Sequence, residues 1–114
     1  MNITIYHNPR CSKSRETLTL LEEKGITPTI IKYLNDTPSI AELKTIYSKF
    51  GFTEVRQMMR VKEAIYKELN LKEADEETLF SAMAENPKLI ERPIVINNDQ
   101  ARLGRPPELV LELL

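Results

Sequence analysis

The sequence predicts an α/β fold, a four-stranded mixed sheet with flanking helices and an inserted helical block at about 37–88. β-prone runs alternate with helical periodicity at both ends of the chain, whereas the middle carries helix signals alone. The length, 114 residues, admits one compact domain but not two sizeable ones, so residues 1–114 are expected to form a single domain.

Each element has a local reason. Ile3-Thr4-Ile5-Tyr6 is a short β-prone run, closed by the turn-like Asn8-Pro9. From Ser12 to Lys24 the period becomes helical, with Ser14, Leu18 and Leu21 on one face and Gly25 placed as a stop. Thr29 to Tyr33 is a second strand candidate, completing the strand-helix-strand content of a right-handed parallel crossover. Behind Pro38, Ser39 and Glu42 make a capping box for a helix with Leu43, Ile46, Tyr47 and Phe50 as its apolar stripe and Gly51 as its end.

Further along, Thr53 is expected to cap a short helix bearing Val55, Met58 and Met59, and another helix runs through Ala64, Ile65 and Leu69. Asp75 opens a helix with Leu79, Phe80 and Met83 inward, which ends before Pro87. After Pro93 the period changes again. Ile94-Val95-Ile96 and Ala101-Arg102-Leu103 read as a hairpin around turn-forming residues 97–100. Pro106-Pro107 then starts a final helix expected to bury Leu109, Val110 and Leu113.

Composition narrows the function. Sixteen Lys+Arg against seventeen Asp+Glu leave no basic excess of the kind nucleic-acid binding requires. One cysteine excludes an internal disulfide and a multi-cysteine zinc cage. No apolar run approaches the ~18–20 residues that span a bilayer, and the first residues lack the layout of a signal peptide. A cytoplasmic location without membrane attachment is expected. The methionines and phenylalanines fall at core spacing, and the cluster Glu73, Asp75, Glu76, Glu77 suits a solvated helix start better than a metal site.

The chemistry centres on Cys11, between the first strand and the first helix. First-turn amides have no intrahelical acceptors and the helix dipole is positive there, so a thiolate is stabilised and the pKa falls below the free value of about 8.5. Arg10, Lys13 and Arg15 add positive charge, and His7, the only histidine, stands close by. There is no second cysteine three residues on, and Arg15 follows too soon for a Cys-x5-Arg phosphate loop. A covalent adduct at Cys11 therefore needs an external thiol to clear it. The same helix start suits a tetrahedral anion, with Ser14 and Arg15 in support. Every cation after Lys88 is an arginine; Arg92 and Arg105, each before a proline, join Arg60 as candidate oxyanion ligands.

HNPRCSKSR (7–15), MMR (58–60), ERPIV (91–95) and RLGRPPE (102–108) together resemble the glutaredoxin-dependent arsenate reductases of bacteria, in matching order and over essentially the whole chain. The resemblance implies a thioredoxin-like fold with a helical insertion and a cis bond between Arg92 and Pro93, carrying Arg92 towards Cys11. It implies that Cys11 is the nucleophile, that His7 and Ser14 support it, and that Arg60, Arg92 and Arg105 hold the oxyanion. It further implies arsenate as substrate, glutathione as co-substrate, glutaredoxin as partner, no bound cofactor or metal, and action as a monomer. The loop departs from the best-known members in reading Cys-Ser-Lys-Ser-Arg rather than Cys-Gly-Thr-Ser-Arg, which adds the charge of Lys13. Two other classes share the scaffold. Thioredoxin-fold regulators that bind the RNA polymerase alpha subunit usually sense redox state through a CxxC pair, whose second position here is Ser14. A glutathione-linked thiol oxidoreductase with another substrate is the second.

Overall fold

In the computed structural model, which describes residues 2–114, β1 (Ile3–Tyr6) and β2 (Thr29–Ile31) are parallel, joined through α1 (Ser12–Glu23). Strand β3 (Ile94–Asn97) lies antiparallel to β1, and β4 (Gln100–Leu103) antiparallel to β3. The sheet order is β2-β1-β3-β4, a mixed four-stranded sheet with flanking helices in the thioredoxin-like arrangement. The chain divides into two compact units. One joins the residues up to Asp36 to Arg92–Leu114, and the other is Thr37–Glu91.

The first unit's core follows from strand alternation. Ile3 and Ile5 share one face of β1, and Val95 is in register with Ile5 on β3. Leu21 of α1 and Val110 and Leu113 of the C-terminal segment complete this buried cluster. Helix α1 ends as its sequence dictates. Gly25 takes φ +78°, its N–H donates to Glu22, and Ile26 N–H donates to Leu21, forming a Schellman motif. Ile26 packs against the same cluster as Leu21, the apolar contact that accompanies this motif.

Two elements differ from the sequence expectation. Strand β2 stops at Ile31 rather than Tyr33 because the chain turns at Lys32, whose carbonyl accepts from Asn35 and Asp36 N–H at 3.0 and 2.9 Å. The final helix is 3-10 throughout, Pro107–Leu113. Its three-residue period places Pro107, Val110 and Leu113 on the buried face and leaves Leu109, expected inside, 37% exposed. Asn97 Nδ2 to Leu113 O (2.7 Å) and Arg102 Nε to Glu112 Oε1 (2.8 Å) tie this segment to the hairpin.

In the helical unit, α2 (Ile40–Phe50) opens on a complete Ser39–Glu42 capping box and closes on Gly51 at φ +72°. It packs against α4 (Glu76–Glu85), with Tyr47 edge-on to Phe80 and Lys44 paired with Glu77. The short helix expected behind Thr53 is a 3-10 turn, Val55–Met58, capped by Glu54 instead. Thr53 N–H donates to Gln57 Oε1. The guanidinium of Arg56 pairs with Glu54, donates to Tyr66 Oη and takes the carbonyls of Leu71, Lys72 and Ala74. A planar five-donor fork suits such a hub, and a lysine does not. Helix α3 (Ala64–Glu68) buries none of its residues. Met58, Met59 and Met83 are buried as expected, while Met1 lies outside the described residues.

Gly104 decides how closely β4 approaches α1. A Cβ there would press on Thr17 Oγ1 and stand 2.7 Å from Pro93 Cγ. Thr17 is fully buried and its hydroxyl is committed to Lys13 O at 2.8 Å, so it has little room to give. Gly104→Ala is therefore expected to lower stability by about 1–3 kcal/mol, read as a lower urea midpoint with unchanged m-value. An unchanged midpoint would show that the contact relaxes freely.

Candidate active site

The turn after β1 is built from its own polar groups. Asn8 O accepts Cys11 N–H at 3.0 Å and Asn8 Oδ1 accepts Arg10 N–H at 3.0 Å, an Asx turn that delivers Cys11 to the helix start. Cys11 is the N-cap residue of α1, with extended backbone (φ −94°, ψ 122°), and is partly buried. Arg15 Nη1 donates to Pro9 O at 3.0 Å, so this cation braces the turn.

Opposing influences act on the thiol. Burial raises its pKa. The Ser14 amide, the Arg92 charge, the Lys13 amide and a hydrogen bond from the Arg92 side chain pull it down, and the net direction is down. The Cys11 side chain closes no capping hydrogen bond. Helix-start polarisation was legible in the sequence. The share due to Arg92, eighty-one positions away in the chain, had no local signal, and its approach to Cys11 was expected from the family resemblance alone.

Ser14 and His7 form a buried pair. Ser14 Oγ accepts Asn8 N–H at 3.0 Å and lies 2.7 Å from His7 Nδ1. Burial, then the charges of Lys32 and Arg15, hold His7 below its ordinary pKa. With the ring neutral, the arrangement that satisfies both groups has the Ser14 hydroxyl donating to Nδ1. His7 is thus linked to the helix start through Ser14.

Arg92 precedes a cis peptide bond to Pro93, as does Arg105 to Pro106. Arg105 Nη1 donates to Arg92 O at 3.3 Å, and Gly104 N–H to Pro93 O at 3.0 Å. Cys11, Ser14, His7, Arg15, Arg92 and Arg105 all belong to the first unit. Arg60 belongs to the helical unit, where its N–H donates to Leu89 O and its guanidinium pairs with Glu63 at 3.3 Å. Sequence reasoning missed Glu63, although the i,i+3 spacing signals it. It also missed Lys32, which follows Ile31 on the strand paired with β1 and so stands beside His7.

Two pH experiments follow. The alkylation rate of Cys11 should titrate below the ordinary thiol value of about 8.5, and Arg92→Ala should move that midpoint upward. An unmoved midpoint would remove Arg92 from the thiol's environment. For His7, a lowered folded pKa means that the unfolded chain binds the proton first. Stability held above about pH 6.5 should fall on acidification until the folded value is passed. A His7 ring titration in NMR centred at or above 6.5 would contradict this sign.

Comparison with known proteins places these features in a family. The ArsC family profile matches residues 6–113. The arsenate reductase of Haemophilus influenzae is 58% identical over 116 residues, covering 100% of both chains. The Escherichia coli protein YfgD, uncharacterised, is 53% identical over 98% of this chain and 96% of its own. Among solved structures, an arsenate reductase from Vibrio cholerae superimposes with a TM-score of 0.98 at 63% identity, covering 100% of this chain and 98% of that one. A protein carrying this helix-start cysteine and cis-proline arginine, and matched along nearly its whole length, belongs to the ArsC family.

Proposed function

We propose that this chain is an arsenate reductase that works through a covalent Cys11–arsenic adduct, with glutathione as co-substrate and glutaredoxin as the protein that regenerates the thiol. The observation that carries this reading is a partly buried thiol made acidic by two helix-start amides and Arg92. The named activities of the relatives from Haemophilus influenzae and Vibrio cholerae support the choice of substrate.

Arsenate is held against the α1 start by Arg92, with Arg105 beside it. Arg15 keeps the turn in shape for it. The Cys11 thiolate forms a bond to arsenic while one oxygen of dihydrogen arsenate leaves as water, carrying both of its protons. Arsenic stays pentavalent in this step. Glutathione then attacks the Cys11 sulfur. An S–S bond forms, the S–As electron pair passes to arsenic, and the thiol proton goes to the arsenite released. Glutaredoxin exchanges with the mixed disulfide and restores Cys11. The chain's single cysteine makes an external thiol necessary at the second step. Ser14 and His7 fix the helix start rather than exchange protons with arsenic. The electrons come from thiols, so the scheme calls for no bound cofactor or metal, and the enzyme acts as a cytoplasmic monomer.

In a coupled assay with NADPH, glutathione and glutaredoxin, wild-type protein should oxidise NADPH only when arsenate is present. Cys11→Ser should abolish turnover, a loss of at least about 1,000-fold on the scale of removing a nucleophile. Arg92→Ala should raise the arsenate KM while the thermal unfolding midpoint stays near wild type. Full activity in the serine variant, or arsenate-independent oxidation in the wild type, would overturn the scheme.

A further inference from the structure

Two cavities flank the turn that presents Cys11, and they differ in charge. One, of about 450 Å³, runs along α1 to the C-terminal 3-10 segment and is lined by Glu16, Glu23 and Glu108 as well as Arg15. The other, of about 310 Å³, lies at the carboxyl ends of the parallel pair β1 and β2. Its cations are Arg10 and Lys32, and no carboxylate lines it. Neither cation forms an ion pair among the described residues. Asn8 and Asn35 add polar groups, and Leu34, 38% exposed, adds an apolar wall. His7 and Asn8, which support the helix start, also line it, but the scheme above gives Arg10, Lys32, Leu34 and Asn35 no part.

Size and lining select the occupant. A water's share of liquid volume is about 30 Å³, so the cavity has room for on the order of ten, too much for a lone tetrahedral oxyanion. It sits at the lower end of the range for organic ligands, about 300–1,000 Å³. Asn8 is both a wall of the cavity and the first residue of the turn that ends at Cys11. The ends of such a turn lie within about 7 Å of each other, and the two extended residues from a tripeptide's central thiol to a terminal carboxylate also reach about 7 Å. A short peptide thiol can therefore place a carboxylate among the cations while its sulfur meets Cys11. We infer that this cavity is the carboxylate subsite for the thiol co-substrate, in which Lys32 and Arg10 take a carboxylate of a short acidic peptide thiol and Asn35 and Leu34 take its backbone and methylenes. The inference rests on the thiol-dependent reading above. The acidic cavity on the other side repels the same ligand.

The test separates binding from turnover by using S-methylglutathione, which carries the carboxylates but cannot react. Added to the wild-type chain, it should shift the amide resonances of Lys32, Leu34 and Asn35 and leave those of Glu23 and Glu108 in place. Lys32→Gln should weaken this binding about tenfold and Lys32→Glu further, the scale expected for losing one charge-assisted contact. In the coupled assay the same variants should raise the KM for glutathione without raising that for arsenate. With the uncharged 2-mercaptoethanol as the thiol, Lys32→Glu should raise the KM by much less than it does for glutathione. Equal affinity of Lys32→Glu for S-methylglutathione, shifts at Glu23 and Glu108, absence of binding, or displacement from Lys32 by millimolar phosphate would each overturn the subsite. Binding at Lys32 in a protein that shows no arsenate turnover would retain the subsite and reject the arsenate reading alone.

Discussion

The sulfur of Cys11 is drawn partly out of water and pulled towards its anion at the same time, and these demands oppose each other. Burial alone favours the neutral thiol, because a low-dielectric surround raises the cost of the anion. The net direction is nevertheless towards thiolate, since the Ser14 and Lys13 amides and the Arg92 guanidinium more than offset that cost. The amides are there because Cys11 is the N-cap residue, so helix geometry supplies them. Arg92 comes from the far end of the sequence and depends on how the chain is packed. Everything else around the site fixes the relation between these two sources of positive potential.

That relation is set by close backbone contact. Gly104 lies against Thr17 on α1 and against Pro93, so one residue without a side chain brings the helix carrying Cys11 and the loop carrying Arg92 together. Gly104 N–H to Pro93 O and Arg105 Nη1 to Arg92 O then hold the loop's main chain. Thr17 contributes by being compact and internally satisfied, its hydroxyl turned to Lys13 O. Reactivity at Cys11 is in this sense a packing property of β4 and α1 as much as a property of the thiol.

Short-range signals were legible in the residues themselves, whereas the long-range approach of Arg92 to Cys11 was expected only through the family resemblance. The Ser39–Glu42 box, the Gly25 and Gly51 stops and the Asp75 cap all act within four residues, and each forms as read. Leu109 was misplaced because apolar spacing was read with the α-helical period, whereas the segment after Pro106-Pro107 winds with three residues per turn. Thr53 lost its capping role because Gln57 reaches back to the backbone of both Thr53 and Glu54, leaving Glu54 as the cap. Arg56 gave no signal at all. Its partners include backbone carbonyls fifteen to eighteen residues away, and a carbonyl has no sequence identity to read. At the site, Cys11 was marked by its place before a helix, while Lys32 needed the strand pairing to become visible beside His7.

His7 illustrates how a residue close to a reactive group can matter without lending it charge. A histidinium would add to the potential at the thiol, but burial and the charges of Lys32 and Arg15 hold the ring neutral. Its effect is then geometric. Nδ1 receives the Ser14 hydroxyl, Ser14 Oγ receives the Asn8 amide, and the amide of Ser14 is one of those acting on Cys11. The loop, the helix start and the strand end are joined at a single buried oxygen. A neutral ring also leaves Arg92 as the side-chain charge acting directly on the sulfur.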